Sequence, residues 1–450
     1  MASRIRGLLR SGQALLFGYF FIVILISTVL LSLPAAWPGR GSVGVIDALF
    51  TAVSAACVTG LITVNTADFS LFGQIVILVT IQAGALGIIS ITTLYLARPR
   101  ARMSLSRRRL IREYYVESVE FDPRDILRSV LIATVAIELV GAALLMFFFR
   151  QSGVENAGFA AVFHAVSAFA NAGFSIFSDS LEGFADSAGV SITIMLLIVS
   201  GGLGFVVLHD LTGRSLGRRR RLSLHSKVVL TTSGVLVLGG AVLYLLFGFY
   251  DPASEWGGRV LQALFQSVTT RTAGFNTLPQ DGLSQPAYLQ TLTLMLIGGG
   301  PGSTAGGIKV SVFALVLVAS LGGTNRFGET QLGRRRVPME ILTGAYSFLV
   351  KALLLLLTAI AALMITQSFS VGAGAGGAAA VEDLVFEVVS AFATVGLSRG
   401  LTPELTEASK IVIVLTMLAG RLGLISIAMP RFRQERTPTL EYPRERILIG

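Results

Sequence analysis

Charged residues are scarce in this chain. Asp, Glu, Lys and Arg together make up 14% of its 450 residues, while 53% are hydrophobic. Soluble domains carry about 25% charged residues, so the composition argues against a water-soluble globular protein. The single cysteine, Cys57, excludes an internal disulfide. There are only three histidines, and none has a second ligand at metal-binding spacing, so a zinc-type site is not expected.

Several long runs of the sequence contain no charged residue. Ala14 to Leu33 holds 20 residues, Leu71 to Ala97 holds 27 and Val228 to Tyr250 holds 23. Crossing the hydrocarbon core of a bilayer takes about 20 apolar residues. The pattern therefore predicts an all-α membrane protein whose surroundings are the lipid bilayer. Its eight transmembrane helices are predicted at residues 14–33, 71–97, 127–149, 188–208, 228–250, 287–320, 342–367 and 409–430.

The basic residues are distributed unevenly between the predicted spans. Of the 36 Lys and Arg residues, 28 lie in segments 1–13, 98–128, 209–227, 321–351 and 431–450. Cytoplasmic loops of membrane proteins are enriched in these residues, so both termini are predicted to be cytoplasmic. The net charge of +10 follows from this topology. Nucleic acid is not an expected partner, because the arginine runs are short loops next to helices.

One phrase occurs four times: a phenylalanine, then nine or ten residues later a glycine followed by an apolar residue. The pairs are Phe50 and Gly60, Phe163 and Gly173, Phe265 and Gly274, and Phe386 and Gly396. Each copy lies on the outer side, between two predicted spans, which indicates an internal repeat. The fold expected is four tandem helix–pore-loop–helix units arranged pseudo-fourfold around one pore. The units are residues 1–100, 101–212, 213–325 and 326–450, with pore loops at 47–61, 160–174, 262–276 and 383–397.

Each phrase combines an apolar stretch, long enough for a half-crossing helix, with a short segment ending in glycine. Non-helical backbone at membrane depth is tolerated only where it is buried in protein or lines a watery cavity. Its carbonyl groups can replace the water around a cation, so a filter that holds a metal cation by backbone alone is predicted. Small residues that pack helices are the alternative explanation. That would explain one copy, but not four on one side. The predicted filter residues are Val58, Thr59, Gly60, Asn171, Ala172, Gly173, Thr272, Ala273, Gly274, Thr394, Val395 and Gly396.

The second span of unit three contains a glycine-rich segment from Gly298 to Gly307, with Pro301 inside it. Glycine and proline disfavour a helix interior, so a break is predicted there. A phosphate-binding loop would need lysine directly after the last glycine, whereas Ile308 precedes Lys309. A nucleotide site is therefore not expected.

Among the ionisable residues inside predicted spans, three stand out: Glu138, Lys309 and Arg421. Such residues are costly in a membrane and usually functional. For Glu138 we expect a pairing with a neighbouring helix. Asn171 and Asn276, on either side of filter positions, are candidates to bond the filter backbone.

The filter and glycine-rich motifs carry a family resemblance. Cys57-Val58-Thr59-Gly60-Leu61, the three corresponding phrases and the segment Gly298 to Lys309 resemble the Trk/Ktr/HKT superfamily of potassium transporters. The resemblance covers essentially the whole chain. Because the first span begins near residue 14, the chain is most similar to the shorter, KtrB-type membrane subunits.

The resemblance implies a function as well as a fold. Glycine at all four filter positions implies K⁺ as the transported ion, and the glycine-rich segment is implied to be an intramembrane gating loop contacted by Arg421. The implied gating residues are Gly298, Gly299, Gly300, Gly302, Ser303, Thr304, Gly306, Gly307, Lys309 and Arg421. A bacterial plasma-membrane location, a homodimer and a cytosolic nucleotide-binding ring of the KtrA type are also implied. Whether Na⁺ activates transport stays open.

Two other classes of function fit the sequence less well. A coupled secondary cation transporter, driven by sodium or proton symport, typically has inverted repeats and a midplane site between them. This chain has parallel repeats and Glu138 alone as an intramembrane carboxylate. An enzyme is not expected, because the spans hold no metal-binding His/Glu pair, no aspartate dyad and no nucleophile motif.

Overall fold

The computed structural model describes residues 12–39, 43–97, 123–215, 222–322, 330–332, 335–371 and 380–423. Within these ranges the chain is helical, apart from a two-residue antiparallel pair of β1 (Gln331–Leu332) and β2 (Arg335–Arg336). The predicted helical class is confirmed. Most of the basic segments used to predict the orientation, and the tail beyond residue 423, lie outside the described residues.

The helices fall into four groups that follow the repeat. The first group is α1 (Gly12–Leu31), α2 (Val45–Cys57) and α3 (Leu71–Ala97). The second is α4 (Pro123–Gln151), α5 (Ala157–Ala170), α6 (Ala188–Leu203) and α7 (Phe205–Ser215). The third is α8 (Leu224–Leu246), α9 (Trp256–Thr269), α10 (Gln285–Leu296) and α11 (Val310–Ser320). The fourth is α12 (Met339–Val371), α13 (Val381–Ala393) and α14 (Glu407–Leu418), which ends in a π-helical turn at Ala419–Gly423.

Four described helices are long and apolar enough to cross a membrane, and each is the first long helix of its group. They are Ala14–Leu31, Arg128–Gln151, Leu224–Leu246 and Met339–Ser368. The bent pair α6 and α7 makes a fifth if it is counted as one span. The count of eight therefore stays a prediction.

The prediction of one continuous helix at residues 188–208 is wrong. The helix ends at Leu203, and α7 begins at Phe205 with a bend of 104°. Gly204 makes the turn with a φ of +88°, a conformation that side chains disfavour. A Cβ there would also meet the carbonyl oxygen of Pro301. The bend thus depends on a segment from another unit, which a local sequence pattern does not reveal.

The four short helices α2, α5, α9 and α13 hold 13 or 14 residues each. At 1.5 Å per residue they are about 20 Å long, enough to cross part of a bilayer. Their last turns are almost entirely buried, although they consist largely of small and polar residues. The phenylalanine of each repeat copy is completely buried: Phe50, Phe163, Phe265 and Phe386.

The groups contact one another in a closed order. Helix α3 packs against α4 and α5, α6 against α9, α10 against α13, and α14 against α2. An ion pair between Lys410 of α14 and Asp47 of α2, with an Nζ–Oδ1 distance of 2.7 Å, joins the last group to the first. The contacts between groups therefore close from the fourth group back to the first.

Helix α3 approaches the end of α2 very closely. A Cβ at Gly84 would overlap the carbonyl group of Ala56, so no side chain fits at this crossing. By contrast, nothing lies within 4 Å of the position that a Cβ would take at Gly18 of α1.

We expect Gly84→Ala to destabilise the protein and Gly18→Ala to leave it equally or more stable. Overpacking a tight contact costs about 1–3 kcal/mol, whereas alanine at an open helical position gains up to about 1 kcal/mol. Thermal unfolding of the detergent-solubilised variants measures both. A Gly84→Ala protein that melts at the wild-type temperature would contradict the close approach of these helices.

Candidate ion-binding site

The short helices end in an unusual way. The residue directly after α2, α5 and α13 has left-handed backbone angles. The backbone amide of the residue that follows it donates a hydrogen bond to a carbonyl in the last turn of the helix. Glycine is the usual residue at the left-handed position. These three positions, and the corresponding one in unit three, instead hold Val58 (φ +56°), Asn171 (φ +56°), Thr394 (φ +51°) and Thr272 (φ +68°). Positive φ is rare for branched residues, and such strain tends to concentrate at functional sites.

Two residues further along, each chain segment passes through the glycine of its repeat, again with positive φ. A Cβ on Gly60 would collide with the carbonyl oxygen of Ala172, and one on Gly173 would lie 2.8 Å from that of Ala273. On Gly274 it would collide with the oxygen of Val395, and on Gly396 with that of Thr59. Each glycine thus faces a carbonyl of the next unit, and the fourth faces the first. These contacts join eight of the twelve predicted filter residues in a closed ring of backbone, and Val58, Asn171, Thr272 and Thr394 directly precede them in the chain.

Buried hydroxyl groups lie behind this ring in all four units. Ser54 and Ser390 accept hydrogen bonds from the amides of Gly60 and Gly396, at 3.1 and 3.0 Å. In the other two units the hydroxyl donates instead to the carbonyl of the residue after the glycine. These bonds run from Ser167 to Phe174 and from Thr269 to Phe275.

The sequence analysis did not single out these four hydroxyls, although they lie five or six residues before the glycine of every copy. They satisfy polar backbone that would otherwise be buried without partners. The direction of the bond differs between two pairs of neighbouring units. In units one and four the hydroxyl accepts from the glycine amide, and in units two and three it donates to a backbone carbonyl.

The glycine-rich segment of unit three occupies the gap between α10, which ends at Leu296, and α11, which begins at Val310. Its two ends are tied together: the amide of Gly298 donates to Ile308 at 2.9 Å, and the amide of Ile308 donates to Leu296 at 2.9 Å. The segment is therefore a compact loop that leaves the helix and returns to it.

This loop lies against the ends of three short helices. The hydroxyl of Thr304 donates to the carbonyl of Phe169 in unit two at 3.1 Å. The amide of Gly306 donates to the hydroxyl of Thr272 in unit three at 3.2 Å. A Cβ on Gly306 would collide with Thr394 of unit four. The glycine is required because the loop approaches these filter segments without space for a side chain.

The loop also supports the bend in unit two. The amide of Gly300 donates to the carbonyl of Gly202 at 2.8 Å, and the amide of Phe205 donates to Gly302 at 3.4 Å. Helix α7 is therefore attached to the loop through main-chain bonds on either side of Gly204.

Three cationic side chains donate to carbonyls of this loop. Arg421 binds the carbonyl of Thr304, Lys309 binds that of Ala305 at 2.6 Å, and Arg271 binds that of Gly298 at 2.9 Å. Hydrogen bonds from charged donors are roughly twice as strong as neutral ones. The loop is thus fastened by charge at its start and its centre.

Arg421 is 3% exposed, and its Nε and Nη2 atoms have no hydrogen-bond partner in the structure. No acidic side chain pairs with it among the described residues. Its positive charge is therefore uncompensated beside the loop.

Arg271 follows α9 directly, and its role was missed from the sequence. Besides Gly298, its guanidinium contacts the hydroxyl of Ser233 on α8 at 3.3 Å. A signal was present, since an arginine beside a filter segment at membrane depth is costly without a partner. What sequence could not supply was the partner, because Gly298 is 27 residues further along the chain.

The two asparagines bond other groups than the filter backbone, which corrects the expectation for both. The side chain of Asn171 lies 2.8 Å from the hydroxyl of Thr304, so it contacts the loop. That of Asn276 donates to Glu182 at 2.6 Å and joins a segment of unit three to one of unit two. Burial raises the pKa of Glu182, and Asp179 and Asp281 raise it further, against the lowering effect of Asn276.

Glu138 is 8% exposed on α4 and accepts a hydrogen bond from Gln82 of α3 at 3.1 Å. This agrees with the expected pairing between neighbouring helices. The contact lies between units one and two, away from the ring and the loop.

The chain was compared with known proteins. Residues 19–438 match the model of the family described as TrkH, cation transport protein. The chain is 35% identical over 437 residues to the Ktr system potassium uptake protein B of Vibrio alginolyticus, covering 96% of this chain and 93% of that protein. It is 35% identical over 460 residues to the potassium/sodium uptake protein NtpJ of Enterococcus hirae, covering 100% and 99%.

The chain belongs to the TrkH family of cation transport proteins. The recognition of the Trk/Ktr superfamily from the filter motifs is confirmed. Among solved structures, the potassium transporter TrkH from Vibrio parahaemolyticus matches with a TM-score of 0.68 at 20% identity, covering 92% of this chain and 84% of that one. This likeness shows a shared helical fold.

We expect Arg271→Gln to loosen the glycine-rich loop. Without the charged donor at Gly298, the main-chain bonds that close the loop lose their fastening to α9. Hydrogen–deuterium exchange of the peptide covering residues 297–309 should therefore become faster.

Arg259→Gln is the matched control, because Arg259 lies on α9, which Arg271 follows, and its Nε donates to the carbonyl of Ser254 at 2.8 Å and not to the loop. Equal exchange of the loop peptide in wild type and Arg271→Gln would show that Arg271 does not hold the loop.

Proposed function

We propose that this protein takes up potassium through a channel-like pore whose selectivity filter is the ring of four glycine loops. The observation that carries the proposal is the closed contact of each glycine with a backbone carbonyl of the next unit. Carbonyl oxygens arranged in a ring can replace the hydration shell of a cation. The names of the relatives from Vibrio alginolyticus and Bacillus subtilis, both Ktr system potassium uptake protein B, support potassium as the ion.

The short helices favour a cation in the ring for a second reason. Each ends at its filter segment, so its carboxyl end, which carries partial negative charge, points toward the ring. The contribution of one helix is modest, but four of them converge. A cation at the centre would be held by carbonyl oxygens and stabilised by these dipoles together.

The glycine-rich loop is proposed as the gate. It lies directly against the filter segments of three units, and the uncompensated charge of Arg421 is bound to its centre. A positive charge in the path of a cation raises the energy of passage. Movement of the loop would break the bond to the Thr304 carbonyl that holds Arg421 in place, so that the guanidinium can leave the path of the ion and the barrier falls.

Regulation and assembly follow from the family as proposals. We propose a homodimer in the bacterial plasma membrane, with a KtrA-type nucleotide-binding ring on the cytoplasmic face. The name of NtpJ includes sodium, so sodium as an activator or as a second substrate has to be tested together with potassium. The observed ring gives no reason to prefer coupled symport.

Replacing one filter glycine by serine is expected to weaken discrimination of potassium over sodium. A Cβ at Gly60, Gly173, Gly274 or Gly396 displaces the facing carbonyl of the neighbouring unit. We expect about a tenfold fall in the ratio of potassium to sodium flux into proteoliposomes, equivalent to about 1.4 kcal/mol.

The control is Gly153→Ser, because Gly153 also has positive φ (+73°) but nothing within 4 Å of its Cβ position. It carries similar backbone strain without touching the ring. If filter and control variants keep the same flux ratio as wild type, the ring is not the selectivity filter.

Deleting residues 301–304 is expected to raise potassium flux through the purified protein. The deletion removes the carbonyl that holds Arg421 and the hydroxyl that bonds to Phe169. Proteoliposome flux at equal protein amounts measures the effect, and thermal unfolding checks the fold. A folded deletion variant that conducts nothing would contradict a gating role.

A further inference from the structure

The residue directly after the repeat's phenylalanine is polar and buried in every unit. The four are Thr51, His164, Gln266 and Glu387, each 0 or 1% exposed. Buried polar groups need hydrogen-bond partners. In three units the partner lies on the segment that leaves the filter.

Unit four shows the contact most fully. The carboxylate of Glu387 on α13 accepts hydrogen bonds from the hydroxyl of Ser398 and, at 2.7 Å, from that of Thr402. Ser398 is two residues beyond the filter glycine, Gly396. The helix that enters the filter is therefore bonded to the chain that leaves it.

Unit two has the same arrangement with a different side chain. Nδ1 of His164 lies 2.8 Å from the carbonyl of Ala160, so this nitrogen is the donor. Nε2 lies 2.8 Å from the hydroxyl oxygen of Ser175, which is also 3.1 Å from the carbonyl of Ser180. Ser175 lies two residues beyond Gly173, as Ser398 lies beyond Gly396.

In unit three the partner lies six residues beyond the filter glycine, at the position that Thr402 holds in unit four. The amides of Gln266 and Gln280 exchange hydrogen bonds at 2.7 and 3.3 Å. Gln280 lies six residues beyond Gly274, as Thr402 lies six beyond Gly396.

Unit one lacks the contact. Ile62 stands two residues beyond Gly60, and the hydroxyl of Thr51 has no hydrogen-bond partner in the structure. Unit one therefore supplies an internal control at an equivalent place in the fold.

We propose that His164, Gln266 and Glu387 are positioning residues of the filter, which fix the outgoing segment of each loop and so set the discrimination between cations. The proposal rests on the ring being the selectivity filter. The incoming side of each loop is fixed by the end of its short helix, and these side chains fix the other side. A binding ring discriminates between ions only if its ligands hold their places to within about 0.5 Å.

A purely structural role is the competing explanation, and it makes a different prediction. If these side chains only satisfy buried polarity, their loss lowers the stability of the protein but leaves its ion preference intact. The ratio of potassium to sodium flux separates the two, because it does not depend on the amount of folded protein.

The test compares Glu387→Leu, Glu387→Gln and Thr51→Val in proteoliposomes. We expect Glu387→Leu to lower the flux ratio about tenfold, because both hydroxyls lose their acceptor. Glu387→Gln should keep most of the ratio, since its amide can accept from one hydroxyl and donate to the other. Thr51→Val, at the position without a contact, should keep the wild-type ratio.

A milder double variant guards against misfolding. Ser398→Ala combined with Thr402→Val removes only the donors, and should lower the ratio as Glu387→Leu does. Combining all three changes should add nothing further, because they remove one interaction.

Gly396→Ser distinguishes the failure of this proposal from failure of the filter itself. If Gly396→Ser lowers the flux ratio while Glu387→Leu and the double variant do not, the positioning role is wrong. The same holds if Thr51→Val lowers it as much as Glu387→Leu. If Gly396→Ser also leaves the ratio unchanged, the ring is not the filter.

Discussion

The structure depends on one constraint: backbone groups at membrane depth must find partners inside the protein. Four segments leave helical geometry at the ring, where water is scarce, and an unsatisfied amide or carbonyl costs several kcal/mol. The left-handed residue after each short helix returns amides to the last turn, and a buried hydroxyl takes one more group per unit. In the proposed filter, the carbonyls that face the neighbouring glycines are the groups that would bind a cation.

The fourfold ring and the loop against it follow different rules. Each unit contributes the same glycine–carbonyl contact to the ring. The proposed binding of a cation at the centre of the ring requires such equivalence. The loop belongs to unit three alone, but it bonds to units two, three and four and is fastened by Arg271, Lys309 and Arg421. Its bonds to the bend at Gly204 also extend these attachments to α7.

Part of the fold and part of the candidate site could be predicted from the sequence. The repeat of phenylalanine and glycine is local and has a regular spacing, and the cluster of glycines around Pro301 disfavours a helix by itself. The bend after Leu203 was missed because Gly204 looks like any glycine of a membrane helix until Pro301 is seen beside it. The roles of Arg271 and Asn171 were missed or misassigned because their partners, Gly298 and Thr304, are distant in the chain.

The sequence by itself determined the helical membrane class, the four copies of the repeat and the family, because hydropathy, spacing and residue identity are properties of the chain read in order. Only the tertiary structure decided which carbonyl each filter glycine faces, which side chains hold the glycine-rich loop, and which polar residue bonds to the outgoing segment in units two, three and four. These depend on groups from different units meeting at distances near 3 Å. Packing, and not any local preference, brings them there.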